Sequence, residues 1–107
     1  MRNHDNFKID MLILCVLSVN DCYGYDITSK IREQSDGFID FKEGTIYPIL
    51  YKLLDKGYVT TYQKIVGKKI RIYYHLEESG REYMENLICQ YNLWERKVRK
   101  IIDIRNK

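Results

Sequence analysis

From Glu78 to Arg105 the chain has no proline and a single glycine, Gly80, while Met84, Leu87, Tyr91, Trp94, Val98 and Ile101 recur in steps of three and four. That spacing is a heptad-like seam, widened by Ile88 and Ile102, and it predicts one long terminal helix over 78–105. A chain of 107 residues has one core and little surface to spare for such a stripe. A partner subunit is the simplest cover. A second segment makes the same demand. Within a helix expected over 9–19, the run Met11-Leu12-Ile13-Leu14-Cys15-Val16-Leu17 is apolar on every side, whereas a surface helix shows a polar stripe. Leu12, Val16 and the six seam residues are therefore expected at a homodimer interface.

Between these two helices the chain alternates clear elements and breaks. Asn20, Asp21 and Gly24 mark a turn. A short helix over 24–34 turns Ile27 and Ile31 inward, and Ser35-Asp36-Gly37 ends it. In 40–57, Ile46, Ile49, Leu50, Leu53 and Leu54 share one face at helical spacing, and Gly57 after Lys56 is a stop. Pro48 is tolerated in a first turn and costly later, so this helix is expected to begin near Gly44 or Thr45. Its other face presents Thr45, Pro48, Tyr51 and Lys52. Residues 58–65, rich in tyrosine, threonine and valine, suit a strand. After a turn at Val66-Gly67-Lys68-Lys69, Ile70, Ile72, Tyr74 and Leu76 alternate with Arg71, Tyr73 and His75, the period of a half-buried strand. The order is helix, helix, helix, strand, strand, long helix. It predicts a mainly α fold with a small β-hairpin wing, a winged helix-turn-helix plus a long C-terminal dimerisation helix. Residues 1–77 would form the DNA-binding region and 78–107 the dimerisation helix of one compact domain.

The net charge of +3 is too small to decide function, so its placement matters. No acidic residue lies between Lys56 and Glu77, where Lys64, Lys68, Lys69 and Arg71 all lie. A one-signed hairpin beside a helix with a polar outer face suits a phosphate backbone. On that helix Thr45 can donate to a phosphate or a base edge, Tyr51 offers an aromatic body with a hydroxyl, and Lys52 can neutralise a phosphate. The expected partners are a double-stranded DNA operator and a second copy of the chain. Two recognition helices about one helical turn apart predict a palindromic site. A winged helix that binds protein instead of DNA would keep the core and lose the basic hairpin and polar face; it is the alternative.

Other classes find less support. There is no Ser-His-Asp set with an elbow, no phosphate loop and no HExxH, and His4 and His75 are expected in separate regions, so catalysis is not expected. Cys15, Cys22 and Cys89 are odd in number and lack CxxC spacing, and they read as reduced thiols packed as small hydrophobes, with no metal or cofactor. The longest apolar run, Met11 to Leu17, is far short of the roughly 20 residues that cross a bilayer. The polar start Met1-Arg2-Asn3-His4-Asp5 lacks a signal-peptide pattern, so no membrane partner and a cytoplasmic location are expected.

The stretch Gly44-Thr45-Ile46-Tyr47-Pro48-Ile49-Leu50-Tyr51-Lys52-Leu53 resembles the G-T-L-Y-P-x-L-x-x-L signature of PadR-family regulators. Tyr23-Gly24-Tyr25-Asp26-Ile27 is similar to the family's H-G-Y-x-I, and Lys56-Gly57-Tyr58-Val59 to its K-G-L-I. Arg71-Ile72-Tyr73-Tyr74-His75-Leu76 followed by Gly80 resembles R-K-Y-Y-x-L-T-x-x-G. The resemblance covers about 9–102. It implies a winged-helix dimer that represses transcription, often of genes for detoxification, drug efflux or phenolic-acid handling. It resembles the short form, whose single C-terminal helix packs with the partner's first helix. It implies DNA contacts from Tyr47 and Lys52, although Tyr47 lies at the border of the core and reads equally as structural. Some short members bind flat hydrophobic drugs between subunits through a tryptophan on the last helix. Counted from Gly80 that position falls on Tyr91, with Trp94 one turn further. The resemblance thus implies a small hydrophobic effector at Tyr91 and Trp94, a pair that reads equally as dimer core. Two departures stand out. Glu77 replaces a threonine and is a poorer N-cap. Ile70 and Ile72 replace residues that are often basic, which sets Arg71 in relief.

Overall fold

The computed structural model describes the backbone of residues 4–107 and the side chains from residue 8; the polar N-terminal start lies largely outside the described residues. The elements are α1 (His4–Leu17), β1 (Cys22–Tyr23), α2 (Gly24–Gln34), α3 (Glu43–Asp55), β2 (Val59–Val66), β3 (Lys69–Leu76) and α4 (Glu78–Ile102), ending in a short 3-10 turn (Asp103–Asn106). The apolar spacing of each helix decides its inward face. Ile13 and Leu14 of α1, Ile27 of α2, Ile46, Leu50 and Leu53 of α3 and Val59 of β2 form the fully buried centre. Leu76, Met84 and Leu87 extend that core beneath α4.

The end of α3 is set by Gly57. Its φ of +80° is a conformation that side chains with a Cβ rarely adopt. Gly57 N–H donates to the Leu54 carbonyl and Tyr58 N–H to that of Leu53, a Schellman closure that turns the chain straight into β2. The beginning of α3 differs from expectation. The helix starts at Glu43, so Pro48 falls in its second turn, not its first. There the missing N–H leaves the Gly44 carbonyl without its helical donor, a cost lowered by Gly44 being solvent-exposed.

The sheet has a third strand that the sequence reading took for a turn. Cys22 pairs with Tyr74 and Tyr23 with Tyr73, giving the antiparallel order β1-β3-β2. The hairpin closes over Gly67 and Lys68, with Gly67 at φ +64° opening a tight two-residue turn. Register puts Val59, Leu76 and Tyr74 on the core face along with Ile65, Ile70 and Ile72. The first three are buried, but Ile65, Ile70 and Ile72 are 73%, 65% and 43% exposed. The expectation of an inward Ile70 and Ile72 is thereby corrected. Alternation names the face, but the outer hairpin extends past the helices that would cover it.

The terminal helix also departs from its reading. Met84 and Leu87 were assigned to a partner, yet both lie in the chain's own core, 4% and 3% exposed. In α1, Met11, Ile13, Leu14 and Leu17 are likewise buried by the chain itself, while Ile9, Leu12, Cys15 and Val16 are half-covered. Beyond Tyr91 most side chains of the 25-residue α4 are exposed, in a molecule 61 × 29 × 24 Å across. Among the described residues no helix is long and apolar enough to cross a membrane.

Candidate nucleic-acid interface

Two elements carry the candidate interface: the outer face of α3 and the hairpin of β2 and β3. α3 is seated against α2 through a close approach at Gly24. A Cβ at Gly24 would meet the Tyr47 ring, so this glycine is what admits the tyrosine between the two helices. Tyr47 is accordingly half-buried against the core, and burial pushes its hydroxyl pKa up. The loop between the helices is tied by Ser35, whose hydroxyl accepts the Ile39 N–H at 2.9 Å. With α3 so fixed, Thr45, Pro48, Tyr51 and Lys52 are all exposed on its outer face. Thr45, Pro48 and Tyr51 follow in steps of three and Lys52 lies four after Pro48, one stripe of a helix.

Beneath α3 lies a group that the sequence reading missed. Asp10 of α1 is 3% exposed. Its Oδ2 accepts a bond from the Tyr83 hydroxyl at 3.4 Å, and Oδ1 has no partner among the described residues. Burial pushes its carboxyl pKa up, against the opposing influence of the Lys52 charge and of Tyr83. Tyr83 in turn stacks on Tyr58 at 4.3 Å between ring centroids. The carboxylate is thus held where α1, α4 and the end of α3 come together. Within an apolar run, one acidic residue at the edge is easily read as solvated.

The hairpin is organised by a second missed acid, Asp21. Its Oδ2 accepts the Tyr62 hydroxyl at 2.7 Å, and its Oδ1 lies 2.9 Å from His75 Nδ1. Burial works to raise the Asp21 carboxyl. The bonds from Tyr62 and His75 and the nearby charge of Lys64 outweigh it and hold the pKa below the ordinary value. On the same face Tyr62 stacks on Tyr73 at 5.6 Å, and Tyr23 of β1 meets Tyr73 edge-on at 5.5 Å. The Lys64 ammonium lies 5.1 Å from the Tyr73 ring centre and the Arg71 guanidinium 4.4 Å from that of Tyr23. Lys68 and Lys69 are exposed at the tip. The four cations thus fall into two pairs, one on tyrosine rings and one in solvent. Only pairing across strands could have revealed this.

Of the residues assigned to a dimer surface, Leu12 and Val16 line a cavity of about 610 Å³ with Cys15, Val19, Ile31 and Ile39. Tyr91 and Val98 are half-buried, whereas Ile101 is 67% exposed. The Tyr91 hydroxyl donates to Glu95 at 3.0 Å. The Lys8 ammonium sits 4.3 Å from the Trp94 ring centre. All three cysteines are free, and burial and the Asp26 charge push the Cys22 thiol up to about 11, which disfavours the reactive thiolate. Glu77 does not cap α4; its carboxylate accepts the Thr60 hydroxyl at 2.7 Å instead.

Three helices, a hairpin wing and a long fourth helix define a winged helix. The model of the transcriptional regulator PadR-like family matches residues 13–86 of this chain. The chain belongs to that family. It is 35% identical over 80 residues to the negative transcriptional regulator PadR of Bacillus subtilis, covering 74% of this chain and 44% of that relative. It therefore spans less than half the length of that PadR. A solved Streptococcus mutans structure is 35% identical with a TM-score of 0.80, the match covering 91% of this chain and 88% of that one. Bacillus subtilis PadR in complex with operator DNA superposes with a TM-score of 0.69 at 34% identity, over 76% of this chain and 46% of that one. Among PadR-family chains, then, this one carries its regulator fold with a single long helix after the wing.

Proposed function

We propose that this PadR-family chain is a homodimeric, sequence-specific DNA-binding repressor acting on a palindromic operator in the cytoplasm, released by a small hydrophobic effector. The observation that carries the reading is the exposed stripe Thr45, Pro48, Tyr51 and Lys52 on α3 together with a hairpin whose cations, Lys64, Lys68, Lys69 and Arg71, have no acidic residue among them. A relative of the same fold was crystallised with operator DNA, which supports the placement of α3 in a major groove. That relative is named a negative regulator, which supports repression. In this reading Lys52 and the wing neutralise phosphates while Thr45 and Tyr51 meet base edges. Tyr47 positions α3 against α2 instead of touching DNA.

Dimerisation rests on the bare apolar residues of α4 and on the cavity beside Leu12 and Val16. Residues 1–77 would then bind DNA while 78–107 join the two copies. The effector would lie against Tyr91 and Trp94, and Trp94, the only tryptophan, would report it by fluorescence.

The test is binding to a duplex from the chain's own upstream promoter, titrated against salt, with Lys68→Glu/Lys69→Glu as the control. Tight binding that falls steeply with salt and is lost in the variant is expected. Binding no tighter than to a scrambled duplex, and unchanged in the variant, would overturn the reading in favour of a protein partner.

A further inference from the structure

We infer that Lys64 and Arg71 form one preorganised anion site on the outer face of the wing sheet, held in place by Tyr73 and Tyr23, and that it clamps a single backbone phosphate of double-stranded DNA. The inference rests on the DNA-binding reading above and adds to it a site and two positioning residues.

Lys64 and Arg71 are register partners on adjacent strands. Side chains directly opposite each other in an antiparallel pair start only about 5 Å apart, and like charges there repel. One acid, Asp21, lies close enough to feel the Lys64 charge and relieves the pair only in part. Among the described residues neither makes an ion pair. The acid closest in influence, Asp21, is already engaged by Tyr62 and His75. A repelling pair without an ion-pair partner of its own is a place for an anion, provided the side chains stay when the anion leaves.

The rings beside them provide that hold. The same-face pair next along the hairpin is Tyr62 opposite Tyr73, and Tyr23 continues the row across β1. Arg71 lies over Tyr23 and Lys64 over Tyr73. Cation–π attraction keeps each head group near the sheet where a free side chain would wander. Less rotamer freedom is then lost on binding. The planar guanidinium of half-buried Arg71 can offer two parallel N–H donors to phosphate oxygens, and Lys64 adds a point charge from the facing strand. Lys68 and Lys69 lie beyond the last tyrosine, exposed beside the Gly67 turn. They contribute diffuse attraction, not a defined site.

The experiment is a double-mutant cycle on the whole chain, with binding to the promoter duplex measured across a salt series. Arg71→Ala should lower the salt slope by about 0.9, the value for one lost phosphate contact. Tyr23→Leu should weaken binding roughly two- to fivefold, the scale of an exposed cation–π contact, and Tyr23→Phe should restore it. In the Arg71→Ala background Tyr23→Leu should cost nothing further. If Tyr23→Leu proves misfolded by its melting curve, Tyr73→Leu with Lys64→Ala gives the same cycle. Equal losses from the tyrosine change in both backgrounds would make it a scaffold residue and overturn the inference. Sensitivity to Lys68→Glu/Lys69→Glu with indifference to Arg71→Ala would overturn the clamp and leave the DNA reading standing. Absence of any duplex binding by the unmodified chain would overturn both.

Discussion

From Gly80 to Leu87, α4 is part of the chain's own core; from Leu93 to Ile104 much of the same apolar seam is bare to solvent. The inner half is fastened by specific contacts. Ser79 donates to the Gly57 carbonyl at 3.1 Å, Glu77 N–H donates to the Tyr58 carbonyl at 3.0 Å, and Tyr83 stacks on Tyr58. All three meet the turn that ends α3. The outer half has Leu93, Trp94, Ile101 and Ile104 exposed, with Lys8 over the Trp94 ring and Arg99 3.7 Å from Asp103. A periodic stripe therefore says which residues share a face and is silent about what covers each part of it. The helix is thus anchored at the turn that ends α3, and its outer apolar face is left uncovered.

The sharpest way to break this comparison is to truncate one residue in each half. Leu87→Ala should cost about 2–5 kcal/mol of folding stability, the range for emptying a buried leucine site. Ile101→Ala should stay within about 0.5 kcal/mol in dilute solution, as for an exposed position. Urea unfolding at low protein concentration measures both. Similar losses would show that the two halves do not differ.

A glycine pair gives a smaller but cleaner contrast. A Cβ at Gly80 would collide with the Tyr58 backbone carbonyl, which cannot swing aside, whereas one at Gly44 would meet nothing. Gly80→Ala should therefore cost about 1–3 kcal/mol despite its better helix propensity. Gly44→Ala should gain up to about 1 kcal/mol by propensity alone. Thermal melts of the two variants should move in opposite directions.

The bare half answers to a different measurement. Ile101→Asp should leave helical circular dichroism and melting of the isolated chain almost unchanged while shifting sedimentation from dimer to monomer. A wild-type chain that already sediments as a monomer at micromolar concentration would remove the role given to this surface.

What could be read in advance follows the same division between local and distant. The limits of α2, the inward face of α3 and the hairpin turn depend on neighbours a few residues away, so spacing, Gly57 and Gly67 were enough. The basic hairpin and the polar stripe of α3 were legible because a run without acids is itself visible in the chain. The two-residue β1 was not, since its strand character comes from Tyr73 and Tyr74, some fifty residues downstream. The burial of Met84 and Leu87 depends on α1 packing against α4, some seventy residues away in the chain. Tyr23 under Arg71 and Tyr62 on Asp21 join segments that share no local pattern.

The smallest expected effect probes a flaw in the well-packed half. Asp10 places a carboxylate at the junction of α1 and α4 with one oxygen unpartnered and a single long bond from Tyr83. Burial raises its pKa in the folded chain, and the Lys52 charge and Tyr83 only partly offset this. Its folded pKa thus lies above its unfolded value of 3.8. Such a group favours folding fully below the unfolded value, and that contribution is lost as pH rises through the folded value. Asp10→Asn cannot ionise. The variant should gain melting temperature over the wild type as pH rises through the carboxylate range, with the gain largest near neutrality and small near pH 3. An equal difference at both ends would mean that the carboxylate pays no burial penalty. The same substitution removes a negative charge close to Lys52, so DNA affinity should rise modestly, most visibly at low salt. A fall in affinity would instead assign Asp10 to holding the lysine in position, and would couple the anchored half of α4 to recognition more directly than packing alone.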